Sequence, residues 1–241
     1  MDYEHIFTER GKSYLSALKT YPNVLANELS TAIRMCNLEY GQTLLTIPSA
    51  CENVEIYMPT GLNIHHQAFE TNKTLSELTD ISYCTFDSIP CDEKSVDVVL
   101  SLATLHHCTQ EERRSFYNEA LRVLKPGGRL IIGDVLLGSD QDRWLNIFVN
   151  QYNPLGHAGM FWSEADVVHL ESCGFTVKTE ICKYTWDFPD MLSMYDFIRK
   201  LFYVYAVSDA DIQNGLQEYL HVKDGVHMFQ WTLMYFIASR P

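Results

Sequence analysis

The apolar run Val96 to Ser101 leads through Leu102-Ala103-Thr104-Leu105 into a pair of histidines, His106 and His107. An imidazole titrates near neutrality, so a histidine placed there can take the proton from a hydroxyl or amine nucleophile. The competing reading is that it serves only packing or pocket shape. A second pair, His65-His66, ends an earlier apolar run, and Cys108 follows the first. Pooled, these five could be imagined as metal ligands. Adjacent residues of a strand point to opposite faces, however, so neither pair supplies two ligands by simple spacing and no metal site is expected. His157 lies in the loop-like stretch Asn153-Pro154-Leu155-Gly156-His157-Ala158-Gly159 and is a candidate substrate contact, against the alternative of a solvated loop histidine. The segment from Tyr184 to Tyr205 is dense in aromatics. Much of it must be core, since Tyr195, Ile198 and Phe202 share a helical face. Trp186 is the aromatic that would meet an apolar or planar small molecule.

These side chains need a frame. The first forty residues read as helix, with Val24, Leu25, Leu29, Ala32, Ile33 and Cys36 on one face and Pro22 as an opener. From Thr43 onward, short apolar runs alternate with longer amphipathic stretches: Thr43 to Ile47, Leu62 to His66, Ile81 to Phe86, Val96 to Ser101 and Leu130 to Val135. Strands alternating with helices imply a parallel sheet with right-handed crossovers, which binds ligands at the carboxyl ends of its strands. Thr109, Ser163 and Ser208 each stand three residues before an acid and mark helix starts. Lys125-Pro126-Gly127-Gly128 stops the helix opened at Thr109. A strand at Thr176 to Tyr184, helices over Met191 to Tyr205 and Asp209 to Leu220, and a last strand at Met228 to Ile237 complete the pattern.

At 241 residues, with 46% hydrophobic and 20% charged, the chain has the size and composition of one α/β domain. The expected division is a single unit over 1–241: N-terminal helices over 1–40, a sheet core over 41–185, a helical cap over 186–225 and the last strand over 226–241. A net charge of −13 repels polyphosphates, so neither nucleic acid nor an anionic membrane surface is expected as a partner. Seven cysteines without a C-x-x-C pair, and the lack of a signal-peptide pattern, fit a reduced cytoplasmic setting. The sequence leaves the oligomeric state open.

The run from Ser95 to Asp134, with its capped helix and Lys-Pro-Gly-Gly stop, resembles the fourth strand, helix and fifth strand of class I S-adenosylmethionine-dependent methyltransferases acting on small molecules. The resemblance implies a Rossmann-like sheet of seven strands, mostly parallel with an antiparallel last strand, flanked here by extra N-terminal helices and a C-terminal cap. It implies S-adenosylmethionine as cofactor and methyl transfer to an oxygen, nitrogen or carbon of a small metabolite. Asp87 and Ser88 would then meet the adenine, Ser101 and Leu102 would lie beside the reacting centre, and His106 would be the base. His107, His157 and Trp186 would face the acceptor. The ribose acid maps onto Gln67, or onto Glu70 if the register slips. The family's Gly-rich loop maps onto Thr46, Pro48, Ser49, Ala50 and Cys51. No glycine stands between Gly41 and Gly61, and a non-glycine residue forced to positive φ costs roughly 1–2 kcal/mol. That departure carries the alternative reading, a non-catalytic or repurposed relative that has lost normal cofactor binding.

Overall fold

The computed structural model describes residues 3–49 and 54–241. Helices α1 (Tyr3–Thr20) and α2 (Ala26–Cys36) come first, followed by β1 (Thr43–Thr46), β2 (His65–Ala68) and the short α3 (Lys73–Thr79). Strand β3 (Val96–Leu102), α4 (Gln110–Val123) and β4 (Leu124–Val135) form the centre. One continuous helical segment follows, running from α5 (Asp140–Arg143) through a π-helical stretch (Trp144–Val149) into α6 (Asn150–Tyr152). After it come α7 (Val167–Ser172), β5 (Thr176–Asp187), α8 (Met191–Phe202), α9 (Asp209–Tyr219) and β6 (Met228–Ser239).

The strands lie in the order β2-β1-β3-β4-β6-β5. β1, β2, β3 and β4 pair in parallel, and β6 runs antiparallel to both β4 and β5. Alternation within the strands divides the core. Leu44, Val98, Leu100, Ile131, Leu233 and Tyr235 pack with α1, α2 and α8 on one face. Leu45, Val99, Leu130, Ile132, Met234 and Phe236 pack with α4 and α7 on the other. Side chains alternate with a period of two, so strands apolar on both faces read as continuous apolar runs and need helices on each side.

The sheet has six strands among the described residues, where seven were expected. Ile81 to Phe86 forms only an isolated parallel bridge, Tyr83 to Glu70, and a turn closed by Thr85 and Ser88. It pairs with Glu70, just past the four-residue edge strand β2, and of its own side chains only Cys84 is buried, so little apolar area rewards a longer ladder. The second strand begins three residues later than its apolar run suggested. The stop after α4 falls where the sequence placed it, but the chain turns directly into strand. Leu124 already pairs with Val96, and the register shifts before Val98 meets Arg129. Gly127 at φ +76° supplies the left-handed residue, and a Cβ on Gly128 would sit 2.9 Å from the Asp97 carbonyl oxygen.

The capping boxes at Thr109 with Glu112 and at Ser163 with Asp166 are formed, and Ser208 caps α9 through the Asp211 N–H. Among the described residues no helix is long and apolar enough to cross a membrane.

Candidate functional site

A cavity of about 80 Å³ lies against the carboxyl ends of β3 and β4. Its floor is Leu102-Ala103-Thr104 and Val135, and its aromatic wall is Trp186, Phe202 and Trp231. Further wall comes from the first two helices: Phe7, Arg10 and Tyr14 of α1, Glu28 of α2, and Leu25 just ahead of α2. These helices are held over the sheet by α8. The Ser13 hydroxyl donates to the Lys200 carbonyl at 2.6 Å, and the Tyr21 hydroxyl donates to Asp196 at 2.8 Å.

Three histidines converge here. His106 and His107 do not continue β3. Ala103 adopts φ +47°, breaking the extended chain, and residues Leu105–His107 form a 3₁₀ turn. In a turn, neighbours no longer face opposite ways, and the two rings lie 4.0 Å apart, centroid to centroid. The argument from strand alternation therefore does not apply to this pair. His157 approaches from the loop after α6, with its ring 5.6 Å from His106 and 5.2 Å from His107. All three are buried.

Two of the rings are fixed from behind. His106 Nδ1 lies 2.7 Å from the carboxylate of Asp134, which is fully buried and also accepts the His106 and Val135 backbone N–H groups. A carboxylate oxygen accepts, so Nδ1 carries the hydrogen and Nε2 is directed away from Asp134. His157 Nδ1 lies 3.0 Å from Asn146 Oδ1, which also accepts the Gly159 N–H. Burial, then the charges of His106, His157 and Arg10, hold His107 well below the ordinary histidine range. Burial and the charges of His106 and Arg10 do the same to His157, so both rings are neutral at pH 7.

Glu28 is the acid of this cavity. Its carboxylate accepts the Trp186 indole N–H at 2.9 Å, and burial pushes its pKa up to about 7. Arg10 lies 4.5 Å over the Phe7 ring.

A second, acidic groove of about 390 Å³ opens on the other side of α1, lined by Glu4, Thr71, Tyr83, Phe86, Asp87, Glu111 and Glu112. Glu70 lies fully buried just past β2. One of its oxygens accepts the Thr71 and Asn72 N–H groups, and Asn72 in turn caps α3. Gln67 is exposed, and its amide oxygen accepts the Cys91 thiol at 3.3 Å. Asp87 and Ser88 are exposed at the groove's end of the chain. Thr46, at the end of β1, is bound to His66 Nε2 at 3.0 Å, and the Ser49 N–H donates to the Phe69 carbonyl. Pro48 is buried. Ala50 and Cys51 lie outside the described residues. Ser101 and Leu102 end β3. The Thr71 and Ser101 hydroxyls are buried with no hydrogen-bond partner among the described residues.

The structure thus brings His106, His107, His157 and Trp186 to one cavity and sets Asp87 in a separate groove. Sequence reading did not single out Arg10, Glu28, Asp134 or Asn146. Asp134 had a visible signal, since an acid directly after the run Leu130-Ile131-Ile132-Gly133 falls at a strand's carboxyl end. The other three act across long sequence separations and left none.

A doubly wound sheet with an antiparallel last strand, and two compartments at its carboxyl edge, defines a Rossmann-like α/β architecture. Residues 41–132 match the family model for the methyltransferase domain. A stretch of 86 residues is 35% identical to 27-O-demethylrifamycin SV methyltransferase of Amycolatopsis mediterranei, spanning 33% of this chain and 31% of that enzyme's length. An S-adenosylmethionine-dependent methyltransferase from Thermotoga maritima shares the fold at 16% identity and a TM-score of 0.61, covering 98% of this chain and 99% of that one. So does phosphoethanolamine N-methyltransferase 2 of Haemonchus contortus in complex with S-adenosyl-L-methionine, at 13% identity and a TM-score of 0.60, covering 100% of this chain and 60% of that one. The methyltransferase-domain match spans less than half of this chain, the chain spans under a third of the length of the curated relative it matches, and the solved structures share its fold.

Proposed function

We propose that the protein transfers the methyl group of S-adenosylmethionine to an oxygen, nitrogen or carbon of a small molecule held in the histidine-lined cavity. The observation that carries this reading is the pairing of compartments. An acidic groove with a buried hydroxyl, Thr71 Oγ1, that has no partner among the described residues runs beside an aromatic cavity at the same edge of the sheet.

The donor set fits the cofactor. Asp87 and Ser88 accept from the adenine amine, and Glu70, rather than the outward-facing Gln67, takes the ribose hydroxyls. Thr46, Pro48 and Ser49, together with Ala50 and Cys51, surround the methionyl end, and the ends of β3 at Ser101 and Leu102 adjoin it. Bound there, the cofactor supplies an electrophilic methyl on a sulfonium. The chain's own part is to align the acceptor, exclude water with α1, α2 and α8, and offer His106 Nε2 to the acceptor's proton, with Asp134 holding the ring. His107, His157 and Trp186 shape the acceptor's surroundings.

The acceptor is taken to be small because the cavity holds only about 80 Å³ and the chain carries −13 net charge, which opposes nucleic acid and an anionic membrane. The Amycolatopsis relative, by its name, acts on such a molecule, 27-O-demethylrifamycin SV. A reduced cytoplasmic setting belongs to the same reading and rests on the seven unclustered cysteines. The absence of glycine between Gly41 and Gly61 favours a second reading, a relative that no longer binds the cofactor in the usual way. Calorimetric titration with S-adenosylmethionine and S-adenosylhomocysteine separates the two. Saturable micromolar binding of either is expected, and no binding of either at millimolar concentration overturns the first reading.

A further inference from the structure

We propose that His106, His107 and His157 form a three-histidine site for a divalent transition-metal ion of the zinc class, with an open coordination position facing the acceptor cavity. The ligating atoms of the three rings all lie within 4.8 Å of one another. Zinc binds imidazole nitrogen at about 2.0–2.1 Å, which puts tetrahedral nitrogens roughly 3.4 Å apart. The rings therefore need to close by about an ångström, which side-chain rotation supplies.

Proximity alone would not carry the proposal; the partners behind the rings do. A ligating histidine characteristically donates its other ring N–H to a carboxylate or carbonyl, which fixes the tautomer and aims the lone pair at the metal. His106 does this to the buried Asp134, which two backbone N–H groups hold in place. His157 does it to Asn146 Oδ1, and Asn146 is held in turn by both the N–H and the carbonyl of Gly159. Two rings from distant parts of the chain are thus locked with their Nε2 atoms free, and His107 adds a third. The buried Asp134 supplies negative charge behind His106 to offset the ion, against the cationic Arg10 that lines the same cavity.

Among the described residues no cysteine or further carboxylate completes the shell. Three protein ligands with a fourth position open is the pattern of catalytic rather than structural zinc. Imidazole sets suit zinc, copper, nickel and iron over magnesium or calcium. An ion there would hold the acceptor through one lone pair while oxygen keeps a second to attack the methyl, which favours oxygen over an amine nitrogen or carbon as the methylated atom. That last step rests on the methyl-transfer reading, whereas metal binding does not; with the ion bound, His106 Nε2 is a ligand, and the metal replaces it as the group that eases loss of the acceptor's proton.

The test uses the metal-stripped full chain without any cofactor. Titration with Co²⁺ is expected to give one equivalent bound, with the visible absorption of nitrogen-ligated cobalt displaced by Zn²⁺. Loading with Cu²⁺ is expected to show nitrogen hyperfine structure from imidazoles in its paramagnetic resonance spectrum. His157→Ala should abolish stoichiometric binding. Asn146→Ala keeps all three imidazoles and should weaken binding roughly 10- to 100-fold. His221→Ala, at an exposed site, should leave it unchanged. A wild-type chain that binds no stoichiometric Co²⁺, or whose Cu²⁺ spectrum lacks imidazole nitrogen, overturns the proposal, as does binding that survives loss of His157. Those results would leave His106 as a free base.

Discussion

Glu28 offers the sharpest test of the cavity's electrostatics, through Glu28→Gln. The carboxyl is buried against Trp186, and its pKa rises from 4.5 to about 7, with burial the main cause. The groups that share its cavity are Arg10, His106, His107 and His157, with Asp134 behind His106. An acid whose folded pKa is raised binds more protons folded than unfolded between pH 4.5 and 7, so stability falls as pH rises through that window. At 1.36 kcal/mol per pH unit, the loss reaches about 3 kcal/mol above pH 7. Glutamine keeps an oxygen for the Trp186 N–H but cannot ionise. Urea unfolding of both proteins at pH 5 and pH 8 is the assay. The wild type should lose roughly 2–3 kcal/mol relative to the variant between those conditions. A stability difference that stays constant with pH would refute the buried, protonated Glu28 and the cavity that produces it.

Two further outcomes are expected. Asp87→Ala, at an exposed position, should leave the unfolding midpoint in place and weaken S-adenosylmethionine binding by the roughly 1.5–3 kcal/mol of a charge-assisted hydrogen bond; calorimetry giving an unchanged affinity would remove the adenine from Asp87. Gly215→Ala tests packing against propensity. Alanine stabilises an exposed helix interior by about 1 kcal/mol, but a Cβ at this point of α9 collides with the Phe148 ring, so a net loss of about 1–2 kcal/mol should appear in thermal or urea unfolding. A gain in stability would show the interface between α9 and the π-helical stretch to be loose.

The architecture was legible because its signals are local. Apolar runs of four to seven residues, hydroxyl caps three residues ahead of acids, and a Pro-Gly-Gly stop each fix the chain within one turn of themselves. The missing third strand shows where that logic ends. Ile81 to Phe86 has the composition of a strand, but its neighbour offers four residues and little face to bury, a fact written in β2 rather than in the segment itself. The histidine turn is similar. Nothing in Ser101-Leu102-Ala103-Thr104 marks Ala103 for positive φ, so His106 and His107 read as alternating strand residues. The first two helices read as an appendage to the core because the contact that makes them a wall, Glu28 with Trp186, joins residues 158 positions apart.

Helix α1 has a thermodynamic consequence for how the two compartments fill. Glu4 borders the groove, while Phe7, Arg10 and Tyr14, about one to three turns later, border the cavity. The cavity holds about 80 Å³ and is partly open, so an acceptor larger than that volume needs part of the α1 wall to shift. Any shift of α1 that admits a ligand on one side alters the groove on the other. The free energy of loading one compartment therefore depends on the state of its neighbour, by the same factor in either direction. Because that coupling is symmetric, it sets how strongly the two loadings favour or oppose each other and leaves their order to kinetics.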